Sequence, residues 1–165
     1  MKKWLVFILV AWMLCGCGAQ QVFETVDDEA VRNVSAMEQT VHFPLPPEAA
    51  APVAQSAQGG TLYLCNGYML TVQTLSGGDL DRTLRQVAGF SASQLQPLKT
   101  KIGNVTRYYA AWTAAGEPEE QVARSVILDD GQTHYAVTVM ADASHAGQLH
   151  DTWSELLNAV RLGTD

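Results

Sequence analysis

Apolar and polar residues alternate with a period of two from residue 61 onward, which predicts a first pair of half-buried strands. These strands cover Thr61–Cys65 and Tyr68–Leu75. Asn66 and Gly67 separate them, and an Asn-Gly pair is the preferred two-residue hairpin turn because both residues tolerate positive φ. The pattern therefore predicts an antiparallel hairpin here.

The same alternation returns in the second half of the chain and predicts three more strands. They cover Val105–Ala114, Gln121–Leu128 and Thr133–Ala141. The last two are separated by Asp129-Asp130-Gly131, and a glycine after aspartate between two apolar runs is typical of a tight hairpin turn. Most of the predicted sheet is therefore antiparallel.

Two segments have apolar residues at spacings of three and four, which predicts amphipathic helices. The first helix follows Asp79, a residue suited to an N-cap, and ends near Gly89, which suits a left-handed C-cap. The second covers Ala146–Arg161 and is terminated by Gly163. Its apolar stripe consists of Leu149, Trp153, Leu156, Leu157 and Val160.

This order of elements predicts an α+β fold, an antiparallel sheet with two amphipathic helices packed on it. We expect the helices to cover one face of the sheet and leave the other face partly exposed to solvent. Residues 37–165 form a single predicted domain, with an edge strand near 37–43. The proline-rich stretch 44–60 is predicted to be an irregular loop.

The layout of residues 61–161 resembles the Mog1/PsbP-like group of short α-β sandwiches. The resemblance rests on the order of the elements, the Asp130-Gly131 hairpin and the terminal helix that carries Trp153. It implies a binding or accessory module of the cell envelope that performs no catalysis.

The N-terminus has the pattern of a secretory signal peptide. Lys2 and Lys3 precede Trp4–Leu14, an unbroken run of eleven apolar residues. A membrane-spanning helix needs about 20 apolar residues, whereas a run this short suits the apolar region of a signal peptide. The alternative, a buried core helix, does not account for the paired lysines.

Leu14, Cys15, Gly16 and Cys17 resemble the lipobox of bacterial lipoproteins, in which an aliphatic residue and two small residues precede a lipidated cysteine. The resemblance implies removal of residues 1–16 and attachment of diacylglycerol to Cys17. Residues 17–36 would then be a polar tether. This predicts a lipid-anchored protein on the extracytoplasmic face of the cell membrane.

Composition and charge narrow the classes of function. Apolar residues make up 47% of the chain, as in a globular protein. Lys and Arg number 10 against 17 Asp and Glu, for a net charge of -7, which argues against a nucleic-acid partner. Removal of residues 1–16 leaves Cys65 without a disulfide partner in the chain, and we predict a buried, inert thiol rather than a reactive one.

Catalytic motifs are absent from the sequence, which predicts a protein that is not an enzyme and needs no cofactor. It contains no Gly-x-Ser-x-Gly, no phosphate-binding loop and no zinc-type Cys or His pairs. A metal-binding group is conceivable at the start of the last helix. Its members would be Asp142, His145, His150 and Asp151. The two histidines are five residues apart, about 140° around a helix, so solvated residues are the preferred interpretation.

Ser144 with His145 or His134 would be the members of a hydrolase pair, but Ser144 is better explained as a helix N-cap. Glu117, Glu119 and Glu120 flank Pro118, which indicates a solvated turn rather than a site with paired acids.

The remaining candidates for a functional surface are aromatic residues on the strands, namely Tyr63, Tyr109 and Trp112. Tyr109 with Arg107 is a possible interaction face, because tyrosine and arginine are enriched in protein interfaces; ordinary packing between strands is the alternative. The sequence thus predicts a membrane-anchored, non-enzymatic binding module with an envelope protein as partner. The alternatives are a lipoprotein that binds a small ligand or metal and, third, a hydrolase.

Overall fold

Nine strands and four helices occur in the residues that the structure, a computed structural model, describes: 39–49, 52, 54–55, 60–116 and 119–163. The predicted signal peptide 1–16, the lipid site Cys17 and the tether 17–36 lie outside these residues. Within the described part, no helix is both long enough and apolar enough to cross a membrane.

The strands are β1 (Thr40–His42), β2 (Ala54–Gln55), β3 (Gly60–Cys65), β4 (Tyr68–Ser76), β5 (Leu98–Ile102), β6 (Val105–Ala114), β7 (Gln121–Asp129), β8 (Thr133–Asp142) and β9 (Arg161–Gly163). The helices are α1 (Leu80–Ala88), α2 (Ala92–Leu95), α3 (Ala143–Ala146) and α4 (His150–Ala159).

Seven of these strands form one antiparallel sheet in the order β2-β3-β4-β8-β7-β6-β5. Strands β1 and β9 form a separate antiparallel pair in which Thr40 lies opposite Gly163. The predicted fold class, α+β with an antiparallel sheet and helices packed on it, is confirmed.

The predicted turns and caps follow their expected local chemistry. Gly67 and Gly131 have φ values of 82° and 95°, in the left-handed region that their hairpins require. The Asp79 side chain accepts a hydrogen bond of 3.0 Å from the backbone N–H of Arg82, and Gly89 ends α1 with φ of 81°. Short-range signals therefore determine both ends of α1.

Helices cover both faces of the sheet. The prediction that helices cover one face and leave the other partly exposed to solvent is therefore wrong. On the side of α4, Trp153 and Leu156 pack against Val126 and Val137. On the side of α1, Leu84 packs against Ile127. The central strands bury consecutive apolar residues such as 126–128, and burial of both faces explains this pattern.

The predicted C-terminal helix over 146–161 is interrupted and shorter. Its residues divide between α3, which ends at Ala146, and α4, which begins only at His150. Gly147 lies in the interruption, and glycine has a low helix propensity. Val160 is extended with ψ of 130°, and Arg161 pairs with His42 in the small sheet instead of continuing the helix.

Part of the stretch predicted as an irregular loop is also strand. Ala54 and Gln55 pair with Leu62 and Thr61 at the edge of the large sheet. The predicted edge strand near 37–43 is present as the three residues of β1, but it pairs with β9 rather than with the large sheet.

A buried polar contact joins α1 to the β7–β8 hairpin. Thr83 and His134 are 0% and 1% exposed. Thr83 Oγ1 lies 2.6 Å from His134 Nδ1 and 3.2 Å from the carbonyl oxygen of Asp79. Asp129 Oδ2 lies 3.6 Å from the other ring nitrogen of His134. The hydroxyl and the imidazole are shielded from solvent, so this arrangement supports the fold and offers no access to a substrate.

Replacing Thr83 with valine should destabilise the protein by about 1–3 kcal/mol, because His134 Nδ1 would lose its partner in a buried position. Urea denaturation of the purified chain measures this change. Thr113→Val is the matched control, since Thr113 is exposed on β6, and its effect should stay within about 0.5 kcal/mol. Equal effects of the two substitutions would contradict the assigned role of Thr83.

Candidate binding surface at a sheet edge

Strand β5 lies at one edge of the large sheet and pairs only with β6 among the described residues. All five of its residues are exposed. Leu98 and Ile102 are 68% and 61% exposed, which is high for large apolar side chains. An open strand edge presents unpaired backbone N–H and C=O groups, so β5 can accept a further strand.

The two faces of β5 differ in chemistry. Leu98 lies opposite Tyr109 in the strand register, and Tyr109 packs on the side of α4. Lys99 lies opposite Tyr108, and the Lys99 ammonium is 5.7 Å from the centre of that ring. Period-two alternation puts Lys101 on the face of Lys99. The edge is thus apolar on one face and cationic on the other, in a chain of net charge -7.

A groove of about 240 Å³ lies between the sheet and α4. Its lining includes Tyr109 and Arg124 from the sheet and Leu157 and Asn158 from the helix. Because Tyr109 is also the register partner of Leu98, the groove and the apolar face of β5 share this residue.

The structure gives the two predicted interface residues different surroundings. Arg107 donates hydrogen bonds of 3.3 Å and 2.7 Å to the carbonyl oxygens of Asn158 and Val160. Cationic groups favour the C-terminal end of a helix, where carbonyl groups are left unpaired. Arg107 therefore holds α4 on the sheet, whereas Tyr109 is half-buried and lines the groove.

The prediction from sequence missed β5, although a signal for it was present. Residues 98–102 read Leu-Lys-Thr-Lys-Ile, with apolar ends and charged residues between them. Gly103 and Asn104 separate this run from β6, and Gly103 has φ of 60°. A two-residue turn that contains glycine between two such runs is a hairpin signal.

The fold does not bring together all four members of the candidate metal group, Asp142, His145, His150 and Asp151. His150 Nδ1 lies 2.9 Å from Arg124 Nη1. Asp142 and His145 instead lie near Glu119, with one ligand atom of each residue within 4.8 Å of the others. Glu119 was assigned to a solvated turn, and only the pairing of β7 with β8 brings it to this position.

Ser144 is not the N-cap of the short helix α3, because it lies inside the helix and Asp142 occupies the cap position. Ser144 Oγ donates to Glu119 Oε1 at 2.5 Å and lies 3.2 Å from His145 Nδ1. The other proposed partner, His134, contacts Thr83 and Asp129 in the interior instead.

Cys65 is a free, half-buried cysteine at the end of β3. Burial raises the pKa of its thiol, and the neighbouring hydroxyl of Tyr68 partly opposes this effect. A higher pKa lowers the fraction of reactive thiolate at neutral pH. The predicted burial of Cys65 is therefore only partial, whereas the raised pKa is in the direction expected for an unreactive thiol. The aromatic candidates Tyr63 and Trp112 pack against the two opposite cores.

The sequence matches no described protein family and no curated protein. Among solved structures, the fold is similar to that of LpqN, a protein involved in cell envelope biogenesis of Mycobacterium tuberculosis. The identity is 12% and the TM-score is 0.49, with 80% of this chain and 88% of LpqN covered.

Proposed function

We propose that this protein is a membrane-anchored, extracytoplasmic accessory module that binds a protein partner of the cell envelope and performs no chemistry itself. The observation that carries the proposal is the open edge strand β5, with Leu98 and Ile102 largely exposed. Exposed apolar side chains beside unpaired backbone groups are typical of surfaces that bind another chain.

The proposed partner is an extended segment that adds to the sheet as a further strand beside β5. In this mode the backbone supplies hydrogen bonds and alternate side chains supply specificity. Apolar residues of the segment would face Leu98 and Ile102, with Tyr109 and its groove beside them. Acidic residues would face Lys99 and Lys101, because opposite charges on neighbouring strands attract.

A second copy of the same chain would pair poorly with β5. If two β5 strands paired antiparallel about Thr100, Lys99 of one copy would lie opposite Lys101 of the other. Like charges directly opposite each other destabilise a strand pair. The charge pattern thus favours a different, acidic partner.

The membrane anchor is the second part of the proposal and is supported by the pattern of residues 1–17. Two acyl chains on Cys17 would retain the protein firmly at the membrane, whereas one chain binds only marginally. An acidic domain is repelled by an anionic membrane surface, so β5 would be presented to proteins rather than to lipid.

A photo-crosslinking amino acid at position 98 or 102 tests the β5 surface in native membranes. We expect both positions to crosslink to one envelope protein through an extended segment that carries acidic residues. Position 64 is the matched control, because Leu64 is also apolar and is 45% exposed on β3, away from this edge. It should not capture the same segment.

Charge reversal in the double variant Lys99→Glu, Lys101→Glu should lower the crosslinking yield at least tenfold, because the acidic segment would then face like charges. The proposal is contradicted if the captured chain is a second copy of this protein. It is also contradicted if charge reversal leaves the yield unchanged or if neither position gives a crosslink.

A further inference from the structure

Glu119, Asp142 and His145 converge where β8 ends and α3 begins. Gln121 and Asp142 are the last register pair of β7 and β8. The backbone N–H of Ala143 donates a 2.9 Å hydrogen bond to the carbonyl oxygen of Glu120. These backbone contacts hold the segment before β7 against the start of α3, and they bring the Glu119 carboxylate to within 4.8 Å of the other two ligand groups.

No lysine or arginine of the described residues balances the charge of this cluster. Neither Glu119 nor Asp142 forms an ion pair with a lysine or arginine in the described part of the chain. Asp142 receives a 3.5 Å contact from the neutral amide of Gln121, and Glu119 receives the hydroxyl of Ser144. Two carboxylates this close repel each other, and a bound cation would relieve the repulsion.

The hydrogen bonds of Ser144 determine which nitrogen of His145 is free. The Ser144 hydroxyl has one proton, which it donates to Glu119. Its 3.2 Å contact with His145 Nδ1 therefore requires the proton of that contact to come from the imidazole. The proton then occupies Nδ1 and leaves the lone pair of Nε2 available, as in metal-binding histidines whose other nitrogen donates to a neighbouring group.

A depression of about 390 Å³ adjoins the cluster and is lined by Asp142, His145, Gln121 and Tyr68, among others. Tyr68 is 5% exposed, and its hydroxyl lies beside the Cys65 thiol without a well-formed hydrogen bond among the described residues. Buried hydroxyl groups are nearly always paired. The depression thus has in its lining a buried hydroxyl that a polar ligand or a water molecule would satisfy.

We propose that Glu119, Asp142 and His145 form a binding site for a first-row divalent transition-metal ion, with Zn²⁺ as the representative ion. Two carboxylate oxygens and one imidazole nitrogen are ligands that Zn²⁺ accepts at about 2.0–2.2 Å. Ca²⁺ requires about six to eight oxygen ligands, more than this group provides. Three protein ligands leave one position open toward the depression. The site is independent of the β5 surface.

The Zn²⁺ affinity of the full chain in detergent tests this assignment by calorimetric titration. Glu119→Gln and His145→Gln should each weaken Zn²⁺ binding at least tenfold, because each removes one of three ligands. His150→Gln and Asp151→Asn are the matched controls. They lie at the start of α4, outside the cluster, and should change the affinity less than twofold.

A second measurement needs no variant and does not depend on how a substitution affects folding. Nitrogen NMR of the wild-type chain should show that Zn²⁺ shifts the Nε2 resonance of His145 but not that of His150. Ca²⁺ and Mg²⁺ at the same concentration should leave both resonances in place. The assignment is overturned if Zn²⁺ shifts neither histidine, if it shifts both equally, or if the control variants weaken binding as much as the cluster variants.

Discussion

Replacing Cys17 with serine should abolish the incorporation of a fatty-acid label into this protein when the chain is expressed in a bacterium that processes lipoproteins. Serine has no thiol to form the thioether through which a lipobox cysteine carries diacylglycerol. Because two acyl chains supply about 0.8 kcal/mol per buried CH₂ group, the loss of lipid removes the proposed anchor altogether. Growth with an alkyne-bearing fatty acid and detection of the labelled protein on a gel measure the effect.

The chain provides its own controls for this experiment, since it contains two further cysteines, Cys15 and Cys65. Cys15→Ser and Cys65→Ser should both retain the label at the wild-type level. Cys15 lies in the segment that the lipobox resemblance predicts is removed, and Cys65 lies within β3. A label that persists in Cys17→Ser but disappears in one of the other variants would refute the assignment of the lipid site.

Replacing Trp153 with alanine should cost about 3–5 kcal/mol of the free energy of unfolding. Trp153 is 0% exposed and belongs to the core between α4 and the sheet. Its ring packs edge to face against Tyr68, with a centroid distance of 6.2 Å. Domains of this size are stable by only about 5–15 kcal/mol, so the substitution removes a large share of the total. Urea denaturation with two spectroscopic probes measures it.

Two further variants show which property of Trp153 accounts for the loss in the free energy of unfolding. Trp153→Phe should be milder, because phenylalanine keeps a ring against Tyr68 and removes a buried indole N–H that has no partner among the described residues. Leu98→Ala should change stability by no more than about 0.5 kcal/mol, because the Leu98 side chain is largely exposed. A cost for Trp153→Ala as small as that for Leu98→Ala would contradict the burial of α4 on the sheet.

The elements that the sequence predicts correctly are those whose cause lies within a few residues. The hairpin at Asn66-Gly67 and the helix between Asp79 and Gly89 both depend on turn or cap chemistry that acts locally. The alternation in 105–114 likewise predicts a strand, and the structure places Tyr109 and Tyr108 of this strand in the cores on its two opposite faces. Local backbone preferences are sufficient for such features because no distant partner is needed.

The sequence by itself determined the α+β class, most strand and turn positions, the acidic charge and the prediction of a lipid anchor. Only the tertiary structure decided which side of the sheet each helix covers, since an amphipathic stripe requires an apolar surface but does not specify which one. Strand pairing likewise placed Glu119 beside Asp142 and left β5 at an open edge. Both candidate sites arise from contacts between distant residues, and periodicity along the chain carries no information about such contacts.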